Sequence, residues 1–188
     1  SLRRQRQMCI RDRNDTMRHT LLVVNNELDK IKVYFKDKIL DKENLILQIG
    51  LLELHIEAGN YFEAEALASS LLRTNPTNYP ISMLYNRILM NKGDYELGED
   101  ILKELTLTRP KDPQVWYWLA EVQGLDKNVI GLHLSRAEYF FLTGAYETSI
   151  KHLRMALELT DSNFQITESI HNKIERSHQS IEALKNVS

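Results

Sequence analysis

Gly59-Asn60-Tyr61 recurs 34 residues later as Gly93-Asp94-Tyr95, and Asn75-Pro76 recurs at the same interval as Arg109-Pro110. The reading of that phrase decides the fold. Gly accepts positive φ at little cost, so it suits the residue just past a helix C-terminus. Pro lacks a backbone N–H and cannot continue the helix that reaches it. Each phrase therefore joins two helices, and each Pro closes the second of them. Working outward from Gly59, an apolar-periodic segment (Ile46, Ile49, Leu52, Ile56) precedes the turn. Tyr61, Ala64, Leu67, Leu71 and Leu72 follow it with helical spacing. Ala64 and Ala68 are small, as close approach of two antiparallel helices requires. The segment 79–112 repeats the pattern with Met83, Leu89, Tyr95, Leu102 and Leu105, and Gly98 stands where Ala64 stood.

A Gly-x-Tyr turn, a later Pro and a 34-residue period resemble the tetratricopeptide repeat (TPR). The fold expected is all-α: a TPR-like solenoid of helical hairpins over 45–188, with units at 45–78 and 79–112. A third unit opens at Asp112-Pro113, where Asp is a good N-cap and Pro is favoured at the first helical position. Asp126-Lys127-Asn128 supplies a polar turn. The next Gly-x-Tyr, Gly144-Ala145-Tyr146, lies 51 residues after Gly93, one and a half periods, so 113–160 is expected to be irregular. A polar-backed stripe (Ile166, Ile170, Ile174, Ile181, Leu184) predicts a capping helix over 163–186, since nothing packs on the outer side of a terminal repeat. Upstream, residues 14–44 read as an amphipathic helix (Leu21, Leu28, Ile31, Tyr34, Phe35, Ile39) and a short linker.

Net charge is −2, but the two ends differ. Residues 1–13 hold five Arg and one acid, while the remainder carries 19 basic and 25 acidic residues, net −6. That balance argues against nucleic acid as the partner of the folded part. The leader itself reads as non-native sequence of the adapter-derived kind, the alternative being a basic tail for RNA or acidic lipid. It holds Cys9, the only cysteine, so the rest of the chain has no thiol for disulfides or thiolate metal sites. No apolar run approaches the length of a membrane span.

No catalytic motif is present. His55-Ile56-Glu57 lacks the second His of a zincin, and there is no phosphate loop, nucleophile elbow or dinucleotide fingerprint. His171, Glu175 and His178 share one helix face and are the nearest approach to a metal site. A solvated polar face is the preferred reading, so no metal ligand is assigned. Glu138 is expected to pair with Arg136 or Arg154, and His133 and His152 to sit at the edges of helix packing.

The search for a binding surface is more productive. First helices line the concave face of such arrays, which offers Ile49, Glu53 and Ile56, then Met83, Arg87 and Met90, then Tyr117, Trp118 and Glu121. Together they predict an apolar, Met- and aromatic-containing groove for a protein or peptide segment. Trp116 and Trp118 are two apart on a helix, so one is expected to face inward and the other elsewhere. A chaperone-tail carboxylate clamp needs Lys and Asn where Ile49 and Glu53 stand and Arg where Trp118 stands, and it is absent.

Residues 109–121 run Arg-Pro-Lys-Asp-Pro-Gln-Val-Trp-Tyr-Trp-Leu-Ala-Glu, and 136–159 hold Arg-Ala-Glu-Tyr, the third Gly-x-Tyr turn and an Ile-x-x-Leu-x-x-Ala-Leu helix. These stretches resemble the C-terminal repeat region of periplasmic zinc metallopeptidases of the beta-barrel assembly-enhancing protease type, over roughly 30–184. The resemblance implies a periplasmic, non-catalytic domain that recruits substrates or partners for outer-membrane protein quality control. It implies a protease domain in cis, where zinc would be held, and no cofactor in this chain. A free-standing TPR adaptor is the rival reading.

Overall fold

The computed structural model describes Lys30, residues 44–160 and residues 164–186. The expected leader and upstream helix lie outside the described residues, apart from Lys30 and Asn44. Among the described residues the fold is all-α, with eight helices and no strand. The chain divides into two compact units, Ser1–Pro76 and Thr77–Ser188.

Among its described residues the first unit contains a helical hairpin, α1 (Leu45–Glu57) and α2 (Tyr61–Thr74). The Leu47 N–H donates to Asn44 Oδ1 at 3.3 Å and so caps α1. Gly59 takes φ 73° in the turn between them. Leu52 and Ile56 of α1 and Ala64 and Ala68 of α2 are all buried. Two expectations fail here. Ile46 is 81% exposed although the helical period placed it on the buried face, where His55 and Gln48 sit instead. Ile56, expected to face outward, is 2% exposed.

Among its described residues the second unit is a run of six helices: α3 (Tyr79–Lys92), α4 (Tyr95–Thr108), α5 (Pro113–Leu125), α6 (Val129–Leu142), α7 (Tyr146–Glu158) and α8 (Phe164–Lys185). Each packs on its neighbours in sequence. The short connections make consecutive helices antiparallel. The turn after α3 uses Gly93 at φ 80°, and the Asp94 N–H reaches back to the Leu89 carbonyl at 3.0 Å. Asp112 Oδ1 accepts from the Gln114 N–H at 3.0 Å and opens α5, with Pro113 in the first turn as expected. Lys127 carries positive φ (62°) in the three-residue turn before α6, and the Asn128 side chain caps α6 at the Gly131 N–H. Gly144 at φ 80° ends α6, so the turn chemistry that usually divides one repeat here follows the third unit's second helix.

The core of this unit has two apolar centres. Leu102, Leu105, Val115, Leu119 and Val122 join α4 to α5. Ala137, Leu153, Ala156 and Ile170 join α6, α7 and α8. Each fully buried Leu or Ile contributes about 1.5–3 kcal/mol by leaving water. Between the centres lies a buried polar network. Glu99 on α4, 5% exposed, accepts from Gln123 Nε2, Asn128 Nδ2 and Lys103 Nζ, each at 3.0 Å. Gln123 Oε1 in turn accepts from Ser135 Oγ at 2.7 Å. Burial pushes the Glu99 carboxyl up, but those hydrogen bonds and the Lys103 charge outweigh it and hold it below the ordinary range.

The capping helix α8 buries Ile170 and Ser177 and lays Ile166 and Ile174 against the second centre. Leu184, placed on that stripe from its spacing, is 57% exposed, so the packed face ends before it. Glu138 pairs with Lys173 and Arg176 of α8 and not with Arg136 or Arg154. Arg136 is drawn instead to Glu121 on α5.

Candidate protein-binding groove

The second unit holds a cavity of about 510 Å³ between α3 and α5. Met83, Arg87 and Met90 reach it from one face of α3 at i, i+4 and i+7, and Trp118 closes it from α5. Leu84, Asn86 and Asn91 complete the wall. Met83, Met90 and Trp118 are half-buried because their inner surfaces pack on the Leu102–Val122 centre while their outer surfaces line the opening. Arg87 is exposed at the rim.

The floor includes one polar group that sequence reading passed over. Asn86 is 2% exposed, its Nδ2 donates to the thioether sulfur of Met90 at 3.5 Å, and its Oδ1 has no partner. A Cβ on Gly98 would stand 3.0 Å from that oxygen, so the glycine on α4 leaves the room that the amide occupies. Four of the residues proposed from sequence (Met83, Arg87, Met90, Trp118) are thus brought to one site.

Tyr117 and Glu121 form a separate cluster beside it. The Tyr117 ring meets Trp118 edge-on at 5.4 Å and tilts against Tyr139 at 5.7 Å. Arg136 lies over Tyr117 at 5.6 Å while paired with Glu121, so that acid is already neutralised by a neighbour. Ile49 and Glu53 belong to the first unit, where Ile49 is half-buried and Glu53 exposed. Both Trp116 and Trp118 pack on the same core centre. They differ in their polar ends: Trp116 Nε1 donates to the Pro110 carbonyl at 2.9 Å, which fixes that ring over the α4–α5 turn.

A second cavity, of about 420 Å³, runs along α8 between Gln165 and Arg176. Its lining comes from a single helix, consists of polar residue types, and includes the two cations already committed to Glu138. His171, Glu175 and His178 are exposed on the same helix, and Glu175 accepts from Gln179 at 3.1 Å. No group of three or more His, Cys, Asp or Glu side chains is placed to hold a metal ion among the described residues. No helix among them is long and apolar enough to cross a membrane.

His133 and His152 do meet at a helix contact, with Nδ1 atoms 3.0 Å apart and the His152 ring stacked on Phe140 at 5.3 Å. Burial lowers both pKa values, and for His152 the nearby His133, Arg136 and Lys151 lower it further.

Residues 55–122 match the family model for the tetratricopeptide repeat. Those residues form a TPR repeat region. The match runs from the last turn of α1 into α5 and includes the α3 and α5 residues of the cavity. No curated protein matches the chain. Among solved structures, a MamA RS-1 ArsTM double mutant is similar at 14% identity, over 84% of this chain and 86% of that one, with a TM-score of 0.57. MamA 41-end from Desulfovibrio magneticus RS-1 is similar at 14% identity, over 91% of this chain and 93% of that one, with a TM-score of 0.56. At that identity the likeness is one of fold: TPR-like helical hairpins built by a different sequence.

Proposed function

We propose that this chain is a non-catalytic protein-binding module whose α3–α5 groove receives an apolar segment of a partner protein. The observation that carries the proposal is the cavity of about 510 Å³ walled by Met83, Met90 and Trp118. Met is unbranched and polarisable, so it moulds to a range of apolar side chains, and Trp contributes a large, stiff face. Groups of this kind at the centre of a surface concavity are the usual carriers of binding energy.

The test is selection of displayed random 12-residue peptides on the purified protein. Selected peptides should be apolar at their centre and lose about tenfold or more in affinity on Trp118→Ala, the cost of one buried aromatic anchor. Peptides that bind the wild type and Trp118→Ala equally would place recognition elsewhere.

The parent function proposed is recruitment for a periplasmic zinc metallopeptidase of outer-membrane protein quality control, with zinc held in a protease domain outside this chain. Its support is the similarity of residues 109–121 and 136–159 to that family's repeat region. Reading the gene upstream of Asn14 tests it: a His-Glu-x-x-His helix supports the protease, and its absence leaves a free-standing TPR adaptor.

A further inference from the structure

We infer that Met90 is an oxidation site that switches the polarity of the groove, a regulation that rests on the docking role proposed above. Met90 is half-buried, so its side chain faces the cavity on one side and the core on the other. Its sulfur accepts a hydrogen bond from Asn86 Nδ2 at 3.5 Å, and Asn86 is itself 2% exposed with its oxygen unpartnered. A thioether is a weak acceptor, so this buried amide is under-satisfied on both of its ends. A sulfoxide oxygen is a strong acceptor. Converting the sulfur of Met90 to a sulfoxide gives the Asn86 N–H a stronger acceptor than the thioether it now meets.

The oxidant class is a hydroperoxide, hydrogen peroxide in the simplest case. As the peroxide arrives, the Asn86 N–H passes from the sulfur to the incoming oxygen and frees a sulfur lone pair. It attacks one peroxide oxygen and the O–O bond breaks. The departing hydroxide takes the proton left on the transferred oxygen and leaves as water. Sulfur loses two electrons and the peroxide gains them. Asn86 is placed to donate to the oxygen that sulfur acquires. No such donor reaches the sulfur of Met83 or Met155, which are also half-buried. The product places a polar, chiral group in a wall that otherwise attracts apolar side chains, and methionine sulfoxide reductases reverse it.

The experiment treats the full chain with hydrogen peroxide near neutral pH and follows Met83, Met90 and Met155 by peptide mass mapping. Met90 should oxidise about fivefold faster than Met83, the factor that one added hydrogen bond supplies. Asn86→Leu should bring the Met90 rate down to that of Met83, with Met155 as internal reference. Equal rates at Met83 and Met90 in the wild type, or an unchanged ratio in a folded Asn86→Leu, would overturn the assignment. These rates need no peptide, so they stand apart from the docking reading. Peptides selected on the groove should then lose about tenfold in affinity on oxidation of the wild type and little on oxidation of Met90→Leu, which keeps apolar volume without sulfur. Peptides that bind the oxidised wild type as well as before would overturn the switch while leaving the oxidation site in place.

Discussion

Glu138 on α6 accepts a hydrogen bond from Arg176 on α8 at 2.8 Å, across 38 positions of sequence. Lys173 holds the other carboxylate oxygen, and the Arg176 guanidinium also lies 3.8 Å above the Phe141 ring. One acid, 7% exposed, thereby fastens the capping helix at two successive turns. Burial alone would raise its pKa, but Lys173 and Arg176 overcome that and hold it below the ordinary carboxylate range.

Glu138→Ala should therefore destabilise the second unit by about 1–3 kcal/mol, less than for a wholly buried pair because Lys173 and Arg176 remain 30% and 45% exposed. Urea denaturation gives the magnitude, and hydrogen exchange should rise most over 164–185. A depressed carboxylate pKa stabilises above the unfolded value and loses that contribution as pH falls through the folded one. The wild type should thus shed this contribution below about pH 4, while Glu138→Ala has none to shed. Equal acid sensitivity of the two proteins would refute the assignment.

The His133–His152 contact makes a prediction at milder pH. With both rings neutral, one Nδ1–H donates to the other Nδ1 at 3.0 Å. If both are protonated, two N–H groups and two charges face each other, near Arg136 and Lys151 as well. Both folded pKa values lie below the ordinary imidazole value of about 6.5, so the unfolded chain takes up protons first as pH falls. Stability is full above about pH 6.5 and declines below it, towards the lower folded values. The melting temperature should drop between pH 7.5 and 5.5, and His152→Phe should reduce that drop while keeping an aromatic ring against Phe140. NMR titration of either ring with a midpoint at or above 6.5 would contradict the burial argument.

The hairpins were legible in sequence because the turns that make them are local. Gly59, Gly93 and Gly144 all take positive φ, Pro113 opens its helix, and Asp126-Lys127-Asn128 is a turn. Met83, Arg87 and Met90 share a face by helical spacing alone, so half of the groove could be placed before any packing was known. What spacing cannot give is which partner a side chain meets when several are in reach. Arg136 sits two residues from Glu138, but it points to Glu121 on the preceding helix, and Glu138 turns to α8. Asn86 reads as one polar residue in an apolar helix. Its place in the floor of the groove depends on the missing Cβ of Gly98, on another helix. Ile46 and Leu184 fit the apolar period but stand exposed, because periodicity alone does not say where the packed face ends.

Two glycines in the second unit give opposite predictions from the same substitution. Gly131 lies in the first turn of α6, and a Cβ there would meet Asn128 Nδ2 at 2.6 Å and Gln123 Nε2 at 2.7 Å. Side-chain ends of this kind usually move aside at little cost, but both amides are held by Glu99, and Gln123 is held by Ser135 as well. Displacing them leaves a buried carboxylate short of two donors, so Gly131→Ala should destabilise by about 1–3 kcal/mol. Gly124, near the end of α5, has only Leu132 methyls at 3.6 and 3.9 Å, ordinary contact distances. Gly124→Ala should stabilise by about 0.5–1 kcal/mol through helix propensity alone. Urea midpoints of the two variants should therefore move in opposite directions from the wild type. A stabilised Gly131→Ala would mean that the Glu99 network yields freely, and Glu99 could not then be the rigid link between α4, α5 and α6.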